Sequence, residues 1–359
     1  MTNNNINVLV VDDSCVSRML LVHLLESDPL IHVIGAVNDG QAAIDFVNGH
    51  KPDVIVMDIH MPHLDGFEAT RRIMETQPVP IIICTSTTDP KEVVTTFRLM
   101  EAGAVACVEK PVTRDHADFE QLVTNLLQTV KLMSEVKVVR RWPRSRQASF
   151  PAPRASEGGL APAAITLIGI GASTGGPPVL QTILSSLPED FPAAILIVQH
   201  IARGFLAGLV EWLNQTTGLQ VHVASHATCP LPGHAYLAPD DFQMGVSSSG
   251  RILLTREEPE NGLRPAVSYL FRSLADIYGR NALGVLLSGM GKDGAVELKL
   301  MKDQGAMTIA QDRESSVVHG MPGEAIELGG ATHVLAADNI ADFLIALVKR
   351  RHTTGGIAS

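Results

Sequence analysis

Residues 165–178 read ITLIGIGASTGGPP. Ile165–Ile170 is a run of buried-strand character, Gly171–Gly176 a tight glycine-rich turn, and Pro177-Pro178 the opening of an amphipathic stretch. Strand, turn and a helix begun at proline follow from that order. The same alternation extends outward on both sides. Downstream, Ala194–Val198 and Leu283–Leu287 are further buried runs, and Met307–Ala310 and His333–Leu335 shorter ones. Upstream, Ile6–Val11, Ile31–Val37, Val54–Met57, Ile81–Cys84 and Val105–Val108 alternate with helical patterns such as Met19, Val22, His23, Leu24 and Val93, Val94, Phe97, Met100. Strand and helix alternating at this spacing make βαβ units and parallel sheets. The expected class is α/β in both halves. The N-terminal half is a doubly wound five-stranded parallel sheet. The C-terminal half is a parallel sheet with an antiparallel excursion across Val221–Leu254, where short alternating runs are broken by Pro and Gly.

A length of 359 residues accommodates about two domains at ~150 residues each. The expected boundaries are a first domain at 1–130, a linker at 131–162 and a second domain at 163–350. Residues 131–154 carry seven basic side chains and one acidic one, on a chain whose net charge is −10. This Pro-, Ser- and Arg-rich stretch reads as a solvated tether, with enough positive charge to touch an acidic surface. The acidic balance argues against nucleic acid as the main partner. The longest aliphatic stretch, Ala193 to Val198, is far short of the ~20 residues that span a bilayer, so no membrane insertion is expected. The start, MTNNNINVLVVDD, has no basic region of a secretory signal. Cys15, Cys84, Cys107 and Cys229 are widely spaced, which suits neither a zinc site nor a disulfide framework and points to the cytoplasm.

In open parallel sheets, ligands bind beyond the carboxyl ends of the strands. In the first domain those positions hold Asp12, Asp13, Asp58, Thr85 and Lys110. Converging carboxylates repel one another unless a hard cation such as Mg²⁺ sits among them. Asp58 would then be a nucleophile toward a phosphoryl group, with Thr85 and Lys110 contacting its oxygens. Any one acid at a strand end is ordinarily a helix cap or a loop charge, but five such residues at strand ends make a site.

In the second domain Ser173 lies on the turn, within a literal G-x-S-x-G. Alone, the pattern is consistent with a nucleophile or with a serine that caps the helix. A serine nucleophile needs a base and an orienter. His200 follows the next buried run and projects at the same sheet edge. His222, His234 and His319 lack such a placement. Asp293 follows the run Leu283–Leu287 and completes an order Ser, His, Asp. Backbone N–H groups near Thr174 and in the Met290 loop are the candidate oxyanion donors. A dinucleotide fold is the rival, because Gly169-Ile-Gly171-Ala-Ser-Thr174 approaches G-x-G-x-x-G. Thr174 replaces the third glycine, however, and Gln199-His200 stands where a ribose-binding acid belongs. Gly291-Lys292 is not a P-loop either, since Leu286 and Asp293 break the pattern.

VLVVDDS, VIVMDIHMPHLDGFEA, PIIICTST and GAVACVEKP, between Ile6 and Leu127, resemble the receiver domain of bacterial response regulators. The resemblance implies a flavodoxin-like fold, with Asp58 phosphorylated, Asp12 and Asp13 as Mg²⁺ acids, Thr85 as the switch hydroxyl and Lys110 as the signalling lysine. Cys107 departs from the pattern, standing where the family often has a rotating aromatic residue. GIGASTGGP, VQHI, LLSGMGKDGA and TIAQDRESSVVHGMPGEAI resemble the catalytic domain of the chemotaxis protein-glutamate methylesterases. That resemblance implies a Ser173, His200 and Asp293 triad and no cofactor for ester hydrolysis. It further implies methylated chemoreceptor helices as substrate, deamidation of receptor glutamines in many relatives, a chemotaxis histidine kinase as phosphodonor, and recruitment to receptor arrays. It also implies that the receiver acts as a lid on the esterase. Ser316 and His319 depart from the common pattern outside the triad.

Overall fold

The computed structural model describes residues 5–86, 90–111, 119–136 and 165–353, which form two units divided between Ser145 and Arg146. In the first, β1 (Ile6–Val11), α1 (Cys15–Leu25), β2 (Ile31–Val37), α2 (Gly40–Gly49), β3 (Val54–Met57), α3 (Gly66–Thr76), β4 (Ile81–Thr85), α4 (Pro90–Ala102), β5 (Ala106–Glu109) and α5 (Phe119–Ser134) alternate without interruption. The sheet order is β2-β1-β3-β4-β5, and every pairing is parallel. Val8–Val11, Val54–Met57 and Ile81–Cys84 are buried without alternation, as strands covered on both faces must be. The order reverses between β1 and β3, which opens a crevice at their carboxyl ends. Cys107 is half-buried on β5, opposite Ile83, and packs against the core. α5 runs four residues past the expected boundary at 130, so the first residues of the stretch read as linker are helical. Residues 137–162 of that linker lie outside the described residues.

In the second unit the elements are β6 (Leu167–Ala172), α6 (Gly176–Ser186), β7 (Ala194–Gln199), α7 (Leu206–Thr216), β8 (Gln220–Val223), β9 (His234–Leu237), β10 (Gln243–Val246), β11 (Ile252–Thr255), α8 (Val267–Tyr278), β12 (Ala282–Leu286), α9 (Ala295–Asp303), β13 (Met307–Gln311), α10 (Met321–Glu327), β14 (His333–Leu335) and α11 (Ala337–Thr353). A seven-stranded sheet runs β14-β13-β12-β6-β7-β9-β8, parallel throughout. The antiparallel character expected over Val221–Leu254 is confined to β10 and β11. β8 and β9 instead join the edge of the main sheet in parallel. A short alternating run looks the same from sequence whichever way its partner points, so direction was not legible there.

α8 packs onto β6 and β12 over a core of Leu270, Phe271, Leu274, Leu286 and Leu298. The glycines of the near-fingerprint make that approach possible. A Cβ on Gly171 would fall 2.3 Å from Val267 Cγ1. These glycines therefore serve helix–sheet packing rather than a pyrophosphate. No helix among the described residues is long and apolar enough to cross a membrane.

Candidate active site

In the first unit the crevice holds all five residues expected there. Asp12 and Asp13 follow β1, Asp58 follows β3, Thr85 closes β4 and Lys110 follows β5. Lys110 Nζ donates to Asp12 Oδ2 at 2.8 Å and to Asp58 Oδ2 at 2.6 Å. Asp12 is buried and also accepts from the Ser14 N–H and the Ser17 hydroxyl. Burial drives the Asp58 carboxyl above the usual carboxylate range. Asp12 pushes the same way, and Lys110 does not fully reverse it. Burial opposes the Lys110 charge, yet its bonds to Asp12 and Asp58 and their negative charge raise its pKa on balance. Thr85 is buried, and its carbonyl accepts from the Lys110 N–H at 2.9 Å. Carboxylate oxygens of Asp12, Asp13 and Asp58 lie within 4.8 Å of one another. Three hard oxygen donors, with Asp13 exposed on the open side, fit a small divalent cation that keeps several waters.

In the second unit the three central strands β12, β6 and β7 present their carboxyl ends side by side. Ala172 pairs with Gln199, so Ser173 and His200, each one residue further on, stand at adjacent strand ends. The His200 N–H donates to Ala172 O at 2.9 Å, and the Ser173 N–H to Ser288 O, just beyond β12, at 3.0 Å. α6 begins three residues after Ser173, with Gly175 at its cap and no side-chain capping bond. The alternative in which Ser173 caps the helix is thereby excluded. Gly175 has φ +76°, and a Cβ there would fall 2.6 Å from Val317 Cβ. Gly175→Ala should lose about 2–4 kcal/mol of stability from left-handed backbone and overpacking together. Thermal denaturation of the variant checks this, and an unchanged midpoint would refute it.

His200 and Asp293 are brought together, with Nε2 3.0 Å from Oδ2 and both side chains largely buried. The ring N–H is off the line to that oxygen, so the contact is an ion-dipole pair rather than an aligned hydrogen bond. Asp293 is held by α8. Its Oδ2 accepts from the Val267 N–H at 2.6 Å, and its Oδ1 from the Ser268 N–H at 3.0 Å and the Ser268 hydroxyl at 2.5 Å. These are unpaired first-turn amides at the positive end of a helix, a natural seat for an anion. Burial alone would raise the Asp293 carboxyl. The close approach of His200 Nε2, with its positive charge when protonated, and the Ser268 donors outweigh burial and hold it below the usual range. It therefore stays ionised through mildly acid conditions.

The remaining expectations divide. Thr174 sits in the turn, its carbonyl held by the Ser288 hydroxyl at 2.8 Å. Met290 is exposed in the loop after Gly289, whose added Cβ would lie 2.7 Å from Ser173 Cβ. Both candidate oxyanion positions thus flank Ser173. His222 and His234 pair with each other at 2.9 Å on β8 and β9, at the far edge of the sheet. His319 contacts Ser316. Sequence reasoning missed Ser268, which orients Asp293, and Gln199, whose buried amide donates to both Ser173 O and His200 O. A glutamine closing a fully buried strand run was the available signal.

The sequence profile of the CheB methylesterase family matches residues 168–344, and that of the response regulator receiver domain residues 8–126. A protein-glutamate methylesterase/protein-glutamine glutaminase of Nitrosospira multiformis is 55% identical over 97% of this chain and 99% of its own length. A namesake from Geobacter metallireducens is 51% identical over 96% of this chain and all of its own. The crystal structure of the Thermotoga maritima CheB methylesterase catalytic domain superposes with a TM-score of 0.50 at 40% identity, covering 51% of this chain and 98% of that one. With a receiver crevice in one unit and, in the other, a serine and a histidine at adjoining strand ends and an aspartate against the histidine, the chain belongs to the protein-glutamate methylesterase/protein-glutamine glutaminase family.

Proposed function

We propose that this chain hydrolyses glutamate methyl esters on chemoreceptor helices, with release of methanol, and that phosphorylation of Asp58 controls the rate. The observation that carries the reading is His200, placed at the strand end beside Ser173 and 3.0 Å from Asp293. Asp293 favours the tautomer with the proton on Nε2, which leaves Nδ1 as the basic nitrogen. Ser173 Oγ attacks the ester carbonyl while His200 takes its proton. The same proton then goes to departing methanol. The Thr174 N–H and the Met290 loop face the oxyanion. Water, deprotonated by His200, releases the glutamate. Receptor glutamines would follow the same acyl-enzyme route, with ammonia as leaving group. Ester hydrolysis by this route uses no cofactor.

In the receiver, Asp12, Asp13 and Asp58 would hold Mg²⁺, which when bound neutralises the phosphoryl oxygens. Asp58 is the acceptor, and Lys110, already on Asp58 Oδ2, would move to a phosphoryl oxygen. Thr85, which closes the neighbouring strand β4, would offer its hydroxyl to the same group. The phosphodonor is a chemotaxis histidine kinase, and the expected setting is the cytoplasm, at receptor arrays. A tenfold activation needs only ~1.4 kcal/mol of differential stability between two states.

Acetyl phosphate with Mg²⁺ should label Asp58 and raise methanol release from methylated receptor membranes. Asp58→Asn should abolish both the label and the activation while leaving basal release. Labelling of Asp58→Asn protein, or labelling undiminished in excess EDTA, would count against the assignment.

A further inference from the structure

The buried Gln199 amide is the group the reaction scheme above does not use. It closes β7, immediately before His200, and is almost wholly shielded from solvent. Its Nε2 donates to Ser173 O at 2.9 Å and to His200 O at 2.8 Å. Its Oε1 is buried without a hydrogen-bond partner. A buried amide oxygen left unpaired costs about 1–3 kcal/mol, so this orientation is maintained by what the amide nitrogen does. The space for Oε1 exists because residue 176 is glycine. A Cβ on Gly176 would lie 2.3 Å from Gln199 Oε1.

The Ser173 carbonyl accepts two bonds, one from Gln199 and one from the Gly176 N–H at 2.8 Å. The peptide joining Ser173 to Thr174 is planar, with its C=O and N–H antiparallel. Fixing the Ser173 carbonyl therefore fixes the direction of the Thr174 N–H, the proposed oxyanion donor. The second bond holds the His200 carbonyl and so the backbone from which the base projects. One side chain thus sets the aim of both the oxyanion donor and the base relative to the nucleophile.

We propose that Gln199 is a positioning residue for ester hydrolysis, aligning the Thr174 N–H and the His200 backbone through its single amide nitrogen. This rests on the reading of Ser173 and His200 as nucleophile and base. It concerns orientation in the transition state, so its signature is a loss of kcat at unchanged KM.

The test uses the full-length protein on methylated receptor membranes. Gln199→Met keeps the length and removes the donor. Its kcat should fall about a hundredfold, as loss of an oxyanion donor does, with KM within about twofold. The rate of fluorophosphonate labelling at Ser173 should fall in parallel. Gly176→Ala approaches from the other side, displacing the amide without deleting it, and should also lower kcat. The double variant should be no slower than Gln199→Met alone, because both changes act on one element. A folded Gln199→Met enzyme with kcat within about threefold of wild type would overturn the inference, and so would a loss carried by KM. Should Gln199→Met fail to fold, Gly176→Ala decides: full activity overturns the inference, and reduced kcat at unchanged KM upholds it. Ser173→Ala in the same assay separates the two levels. If it stays active, the underlying reading falls. If it is dead while Gln199→Met is normal, only the positioning role falls.

Discussion

Ser173→Ala should reduce ester hydrolysis by roughly 10⁴–10⁶-fold, or about 5–8 kcal/mol of transition-state stabilisation. The hydroxyl is the attacking group, at the edge of β6 beside His200. What survives would come from oxyanion donors acting on a water nucleophile. The fold should be untouched. Ser173 is fastened through its backbone, by its N–H to Ser288 O and its carbonyl to Gly176 N–H and Gln199 Nε2. An alanine keeps all three bonds. The measurement is methanol release from methylated receptor membranes, with thermal denaturation beside it. More than about a tenth of wild-type release from the variant would remove Ser173 from the role of nucleophile. Loss of activity together with a collapsed melting midpoint would assign the defect to folding instead.

The parts legible in the sequence share a cause. Strands of parallel sheets are buried on both faces, so they appear as unbroken apolar runs, and whatever polar residue ends such a run stands at the site edge. That rule leads from the sequence to Asp12, Asp58, Thr85, Lys110, Ser173 and His200, and each of them lies at a strand end. The rule is blind to direction and to polar residues that turn inward. β8 and β9 alternate as an antiparallel hairpin would, yet they pair in parallel. Gln199 closes a strand exactly where an exposed loop residue would be expected, and only the fold shows its amide turned back onto two carbonyls. Ser268 was invisible for another reason. It contacts Asp293 across 25 residues of chain, and no local pattern encodes that distance. The glycines at 169 and 171 were legible as a feature but not as a purpose, because close helix packing and phosphate binding both demand an absent side chain.

His200→Ala and Asp293→Asn should both disable the enzyme, and they should differ in what else they damage. Removing the imidazole takes away the base and leaves Ser173 Oγ un-ionised. The loss should approach that of Ser173→Ala, since the two act as a unit. Asp293→Asn should cost on the order of 10⁴ in kcat. If the amide nitrogen takes the Oδ2 position, it meets the Val267 N–H, another donor, and presents a donor to His200 Nε2. The imidazole must then carry its proton on Nδ1, where it is no longer a base. If it takes the Oδ1 position, it meets the Ser268 N–H and hydroxyl instead. Either way one donor at the start of α8 is left unpaired, so this variant should also lose about 1–3 kcal/mol of stability. The pH dependence tests the origin of that loss. The Asp293 carboxyl is held below its ordinary value in the folded protein. Its contribution is therefore complete above the unfolded-state pKa and disappears as pH falls through the folded-state pKa. The stability gap between wild type and Asp293→Asn should be widest near neutrality and should close in strong acid. A gap that persisted unchanged below that range would mean that the anion at the head of α8 contributes nothing. If His200→Ala retained activity while His222→Ala or His234→Ala were dead, the base would have to be sought at the far edge of the sheet, where the hydrogen-bonded pair of histidines lies.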